Sequence, residues 1–278
     1  MKKIGFIDYY LDEWHANNYP KWIPEASDGE FVVTYCWGYK DAPNGMTNKE
    51  WAEKYGVELC ATMEEVIEKS DVLIVLSPDN PEMHELLCAK PLASGKRTYV
   101  DKTFAPDKAA AERIFANAEA NDTPCFSSSA LRYSAELDTI NKDEIVTVYS
   151  EGPGTMQIYS IHQIEPLVKL MGVRAKRVMA LAGEDHPSVV IEFEDGRTAQ
   201  FVQRDDPTWG FRMQIVKADN RAEVLEIKSD YFHLFVLQLV DFFRTGIVPV
   251  PHSQTIDVIA IRETAIKAAA KPFEWFEL

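Results

Sequence analysis

Apolar residues in the first half of the chain come in short continuous runs separated by stretches of helical period. Lys3 to Asp8, Phe31 to Trp37, Asp71 to Ser77, Arg97 to Val100 and Cys125 to Ser128 read as strands. Trp14 to Ile23, Asn48 to Tyr55, Met63 to Lys69, Pro81 to Ser94 and Pro106 to Asn121 read as the helices between them. Thr62, with Glu65 three residues on, has the form of a capping box, and Gly95 ends the helix that starts at Pro81. Strands apolar throughout are covered on both faces, so this region predicts a doubly wound parallel sheet.

The pattern changes near Asp143. Glu144 to Glu151 is a strand, and Met156 to Met171 is a helix stopped by Gly172. Beyond it the strands alternate: Val189, Ile191 and Phe193 share one face, and Phe211, Met213 and Ile215 share another. Asp195-Gly196 is a hairpin signal before the strand from Arg197 to Gln203. This region predicts an antiparallel sheet of about five or six strands with an exposed face suited to self-association. Two helices follow, Asp230 to Arg244 and Thr255 to Lys271. The fold class expected is α/β: a Rossmann-like domain over residues 1–130, then an α+β domain over 131–278. The terminal helices are free to pack back on the first domain.

Composition narrows the partners. The chain has 278 residues, enough for two cores, with 46% hydrophobic and 26% charged residues. The 44 acids against 29 bases give a net charge of −15, and no Lys/Arg-rich run occurs, which argues against nucleic acid or anionic membrane as partner. Cys36, Cys60, Cys88 and Cys125 are scattered without metal or redox spacing, as in a reduced, cytoplasmic protein. MKKIGFIDYY reads as a first strand rather than a signal peptide, and no apolar run approaches a membrane span. His15, His186, His233 and His252 form no ligand spacing, so no metal site is expected.

Five constellations carry candidate chemistry. Lys102 ends a strand after Asp101, where open α/β sheets place their ligands; desolvated, it would be a usable acid or base, and otherwise it is a surface lysine paired with Asp101. His162 and Glu165 stand three apart on one helix face, as a proton relay or a surface pair. Ser77, Pro78 and Asp79, with His84 in the following helix, form a turn that meets a ligand or simply caps. Arg132 and Tyr133 lie at the domain handover, where Arg132 would hold an anionic group or an interdomain salt bridge. Asp205-Asp206-Pro207-Thr208-Trp209 is a solvated turn or a metal or polyol site.

In order and motif, nearly the whole chain resembles the Gfo/Idh/MocA family, the glucose–fructose oxidoreductase and inositol dehydrogenase group. Ser77-Pro78-Asp79 stands for the family's Thr-Pro-Asn, with His84 following; Asp101-Lys102-Thr103 stands for Glu-Lys-Pro. Arg132-Tyr133 matches an Arg-aromatic pair, and His162 with Glu165 matches the catalytic helix, whose Asp position holds Ile158. The resemblance implies an oxidoreductase acting on a sugar, polyol or cyclitol hydroxyl with NAD or NADP. It implies catalysis by Lys102 and His162, and substrate contacts from Arg132, Tyr133 and Glu165. Cofactor contacts would come from Asp8, Tyr9, Trp37, Ser77, Pro78, His84 and Asp101, in a homodimer or homotetramer.

The glycine loop that holds the dinucleotide diphosphate is replaced by Asp8-Tyr9-Tyr10-Leu11-Asp12-Glu13, and the ribose-binding acid after the second strand by Trp37 or Gly38. Two readings therefore stand beside the first. One is a small-molecule binding or regulatory protein that has lost NAD(P). The other is a proton-transfer enzyme, for elimination or epimerisation, using Lys102 and His162.

Overall fold

The computed structural model describes residues 1–181, 187–206 and 208–278. His186 and Pro207, both named above, lie outside the described residues. The chain divides into two compact units, 1–128 with 235–252, and 129–234 with 253–278.

The first unit carries a parallel sheet with helices between its strands. In chain order it runs β1 (Lys2–Asp8), α1 (Trp14–Ala26), β2 (Phe31–Gly38), α2 (Asn48–Tyr55), β3 (Glu58–Leu59), α3 (Met63–Lys69), β4 (Val72–Val75), α4 (His84–Leu92), β5 (Thr98–Val100), α5 (Lys108–Ala120) and β6 (Cys125–Phe126). The six strands lie in the order β3-β2-β1-β4-β5-β6, all parallel, so the order reverses between β1 and β4. The expected doubly wound sheet is present. β4 is buried at every position, as a strand covered on both faces must be. The helix expected from Pro81 begins as a 3-10 turn over Pro81–Met83 before α4 proper. Phe242 and Phe243, from the later helix, pack on Phe126 and Phe31.

Capping differs from the sequence reading in one detail. Thr62 accepts from the Glu65 N–H, but the Glu65 carboxylate turns to the Ala61 N–H instead of closing the box. The complete box is at α2, where Thr47 and Glu50 bond reciprocally.

The second unit holds β7 (Ile145–Pro153), α6 (Met156–Met171), β8 (Ala175–Ala180), β9 (Ser188–Phe193), β10 (Thr198–Arg204), β11 (Arg212–Lys217) and β12 (Ala222–Glu226). After α7 (Tyr231–Thr245) come α8 (His252–Ala269) and β13 (Trp275–Glu277). The sheet has seven strands, ordered β12-β11-β7-β10-β9-β8-β13, rather than five or six. It is antiparallel except for β10 against β7. The β9–β10 hairpin turns at Asp195-Gly196, where Gly196 takes φ +85°, a conformation that favours glycine. α6 covers the inner face, burying Ile161, Ile164, Leu167 and Val168, and ends at Gly172 with φ +68°.

Candidate functional site

The reversal in strand order places the end of β1 beside the end of β4, the position where open α/β sheets bind ligands. The backbone N–H groups that start α1 would serve an anionic ligand there. They are already used. Glu13 is the N-cap of α1, and its carboxylate accepts from the N–H of His15 at 2.7 Å and from that of Ala16. A side-chain carboxylate thus sits where a diphosphate would be held.

The rest of the turn is closed as well. Leu11 is fully buried, and its N–H donates to the Asn48 side chain at 3.1 Å. The Asn48 amide also donates to the carbonyls of Gly38 and Lys40, and Asp12 accepts from the Met46 N–H at 2.8 Å. A Cβ on Gly38 would strike the Asn48 amide at 2.4 Å, so this glycine permits the close approach of α2. The segment from Gly38 to Asn48 is therefore bolted onto the β1–α1 turn. Tyr9 stacks on Tyr39 at 5.8 Å with the Lys40 ammonium over its ring.

Behind the turn lies a buried acidic cluster. Asp8 and Asp101 are each 1% exposed. His15 Nδ1 stands 3.3 Å from Glu13 and 3.2 Å from Asp101, while the Tyr99 hydroxyl donates to Asp101 at 2.9 Å. Burial, and then the Glu13 charge, hold the Asp8 carboxyl well above the ordinary aspartate value of 3.8. The amides that would attract phosphate are spent on the Glu13 carboxylate, and acidic side chains stand behind them. The residues present do not fit a dinucleotide diphosphate.

Asp8 yields a pH prediction. The unfolded chain ionises near the ordinary value, the folded chain only well above it. Stability attached to this proton is full below 3.8 and is lost as pH rises toward the folded value. Asp8→Asn keeps an oxygen for the Tyr9 N–H and removes that loss. It should melt higher than the parent near neutral pH and level with it in acid below the ordinary value. Equal melting temperatures at neutral pH would show that Asp8 carries no such burden.

Lys102 is 9% exposed and forms no ion pair among the described residues; Asp101 accepts from the Tyr99 hydroxyl, with His15 Nδ1 3.2 Å away. On its other side the Thr103 carbonyl lies 2.9 Å from His84 Nδ1. His84 is fully buried, and burial lowers its pKa, so it acts on this strand end through Thr103 and Phe104. Ser77 is buried with φ +128°, and its hydroxyl donates to the Asn80 carbonyl; Pro78 is buried beside it and Asp79 exposed. Trp37 is half-buried against the edge of Tyr39.

The other candidates belong to the second unit. His162 Nδ1 is 2.7 Å from the Ser129 hydroxyl, with the rings of Tyr159 and Phe211 edge-on at 5.3 and 6.1 Å. Ser129 is fully buried, so it orients the imidazole and does not present a nucleophile. Glu165, one helical turn on, accepts from Arg132 at 3.0 Å, and the guanidinium also donates to Gln254. Burial raises the Glu165 pKa, opposed by Arg132. His162 and Glu165 thus each find a partner on the 129–132 segment. Tyr133 is half-buried next to Arg132.

Two sets of possible metal ligands are otherwise engaged. Asp206 bonds both the N–H and hydroxyl of Thr208, which makes a turn, and Trp209 sits between Arg204 and Arg212. Glu58, Cys60 and Glu65 cluster, but Lys69 pairs with both carboxylates at 2.6 Å and burial pushes the Cys60 thiol up to about 11. All four cysteines are buried free thiols.

No family model and no curated protein matches the sequence. Solved structures do match in fold. A probable dehydrogenase from Thermotoga maritima superposes with a TM-score of 0.81 at 13% identity, covering 99% of this chain and 98% of that one. Myo-inositol dehydrogenase from Lactobacillus casei, in complex with NAD(H) and myo-inositol, gives 0.81 at 12% identity, covering 100% and 96%. GenD2 from gentamicin A biosynthesis, in complex with NAD, gives 0.80 at 14%, covering 100% and 97%. At such identities the likeness establishes the fold. Among the described residues, no helix is long and apolar enough to cross a membrane.

Proposed function

We propose that this chain is a small-molecule enzyme on a dehydrogenase fold that works without a bound nicotinamide dinucleotide, moving protons with Lys102 and His162. The observation that carries the reading is the Glu13 carboxylate seated on the first N–H groups of α1. A chain that fills this position with its own anion has no use for the diphosphate that anchors NAD. Proton transfer needs no such anchor. One group takes a proton from the substrate and another returns one, no electrons leave, and the outcome is elimination or epimerisation.

Lys102 suits this role by its burial and by having no ionic partner among the described residues, and His162 by a ring held through Nδ1. Substrates of the hydroxylated, sugar-like class follow from the fold neighbours, one of which holds myo-inositol. A second reading, an NAD(P)-dependent oxidoreductase, draws on the NAD bound in two of those neighbours. It requires Glu13 to leave the helix terminus.

Calorimetric titration with NAD, NADH, NADP and NADPH decides between them. The expected result is no binding up to about 1 mM, corresponding to less than about 4 kcal/mol of binding free energy. Micromolar affinity for any of the four overturns the proposal and restores the dehydrogenase reading.

A further inference from the structure

The second unit contains a cavity of about 500 Å³ where α6 ends and β7 begins. Ile145, Leu170 and Val173 give it apolar walls. Lys142, from the 3-10 turn over Lys142–Glu144 just ahead of β7, lines it as well, and so do Asp195 and Arg197 from the β9–β10 turn. This volume falls within the range of small-molecule pockets, roughly 300–1,000 Å³. Neither Lys102 nor His162 is in its wall, so the proton-transfer reading leaves it unused.

The acids around Lys142 are held by other cations. Glu165 accepts from Arg132 at 3.0 Å, Asp138 pairs with Lys169 at 2.7 Å, and Asp195 with Arg197 at 2.6 Å. Glu144, two residues on, pairs with Lys217 at 3.6 Å. Asp143 lines the cavity too, but among the described residues Lys142 reaches no carboxylate within ion-pair distance. Its amine therefore stands in a cavity wall, near two cations whose counter-charges are already engaged. Partial burial, and then the charges of Lys169 and Arg132, lower its pKa below the ordinary lysine value of 10.5, with Asp138 opposing them. A lysine that is partly desolvated, or set beside other cations, offers a free amine at lower pH and becomes a nucleophile.

We infer that Lys142 is a covalent modification site for small aldehydes, held as an imine with their carbon chain against the apolar walls of this cavity. The amine lone pair forms a bond to the carbonyl carbon, and the carbonyl oxygen takes up protons and leaves as water. A C=N bond remains on the lysine nitrogen. No oxidant or reductant takes part, and water reverses the step. The site goes beyond the function proposed above, because it shares no residue with that chemistry.

The test is labelling of the full chain with butanal at neutral pH. Cyanoborohydride supplies a hydride that fixes each imine as a secondary amine, and peptide mass mapping reads the rate at every lysine. Lys142 should be labelled at least about threefold faster than Lys49, whose side chain is 78% exposed. Its rate should also saturate with butanal, as a bound ligand requires, while the rate at Lys49 stays linear. Lys169→Met removes a neighbouring cation and releases Asp138 to pair with Lys142, so labelling at Lys142 should fall to the rate of Lys49. The melting temperature checks that this variant is folded. The inference is overturned if Lys142 is labelled no faster than Lys49, if its rate stays linear in butanal, or if the folded Lys169→Met variant is labelled as the parent is.

Discussion

Arg132→Met should destabilise the second unit by about 3–5 kcal/mol, read as the fall in unfolding free energy at neutral pH. Arg132 and Glu165 are 8% and 2% exposed in their side chains and meet at 3.0 Å. Removing the cation leaves the Glu165 carboxylate buried, and a lone buried charge is what makes broken pairs costly. The Lys169 ammonium, which bonds the Arg132 carbonyl and Asp138, offers partial compensation at most. Two companion results define the mechanism. The deficit should shrink in acid, because Glu165 has a raised pKa and sheds its charge by taking a proton. Arg132→Met with Glu165→Leu should recover much of the loss, since no unpaired charge then remains. If the single variant is as stable as the parent, the guanidinium is not part of the packing and stands ready for a substrate.

The turn from Arg132 to Glu165 is short in space and 33 residues apart in the chain. Residue types alone present Arg132 as an anion binder and Glu165 as a partner of His162, because helical spacing is visible and tertiary pairing is not. The same holds for Glu13, His15 and Asp101. A run of acids from Asp8 to Glu13 is legible as hostile to phosphate. That Glu13 caps α1 could have been read from its place just before Trp14, where the helix was expected to begin. That His15 reaches Asp101 could not.

Elements were legible in proportion to how local their causes are. α6 runs over Met156–Met171 as its pattern predicts, because its apolar face and the left-handed Gly172 both act within the segment. The two-residue β3 and the edge strands β12 and β13 have no such local cause. Each exists through pairing with one neighbour, β13 with β8 over three residues, and such pairing leaves no periodicity of its own. The parallel contact of β10 with β7 is also a matter of topology rather than alternation.

Lys102→Met should lower turnover at least about 100-fold, the usual worth of a general acid or base, while leaving the melting temperature close to that of the parent. Asp101, just before Lys102, is anchored by the Tyr99 hydroxyl and stands beside His15; Thr103, just after, is anchored to His84. The strand end is thereby held on both sides while the Lys102 ammonium, without an ionic partner among the described residues, is not tied to the scaffold. A lysine serving stability would show the opposite: a partner at hand and a backbone free to move. Turnover can be followed without nicotinamide by deuterium wash-in from heavy water into a panel of hydroxylated carbonyl compounds, detected by proton NMR. The parent should exchange a carbon-bound proton of at least one compound, and Lys102→Met should not, whereas Lys102→Arg, cationic but far harder to deprotonate, should also fail. Retention of the parent rate in Lys102→Met would remove the lysine from the chemistry. Exchange by the parent only after NAD is added would return the hydride to the reaction, and with it the question of how α1 releases Glu13.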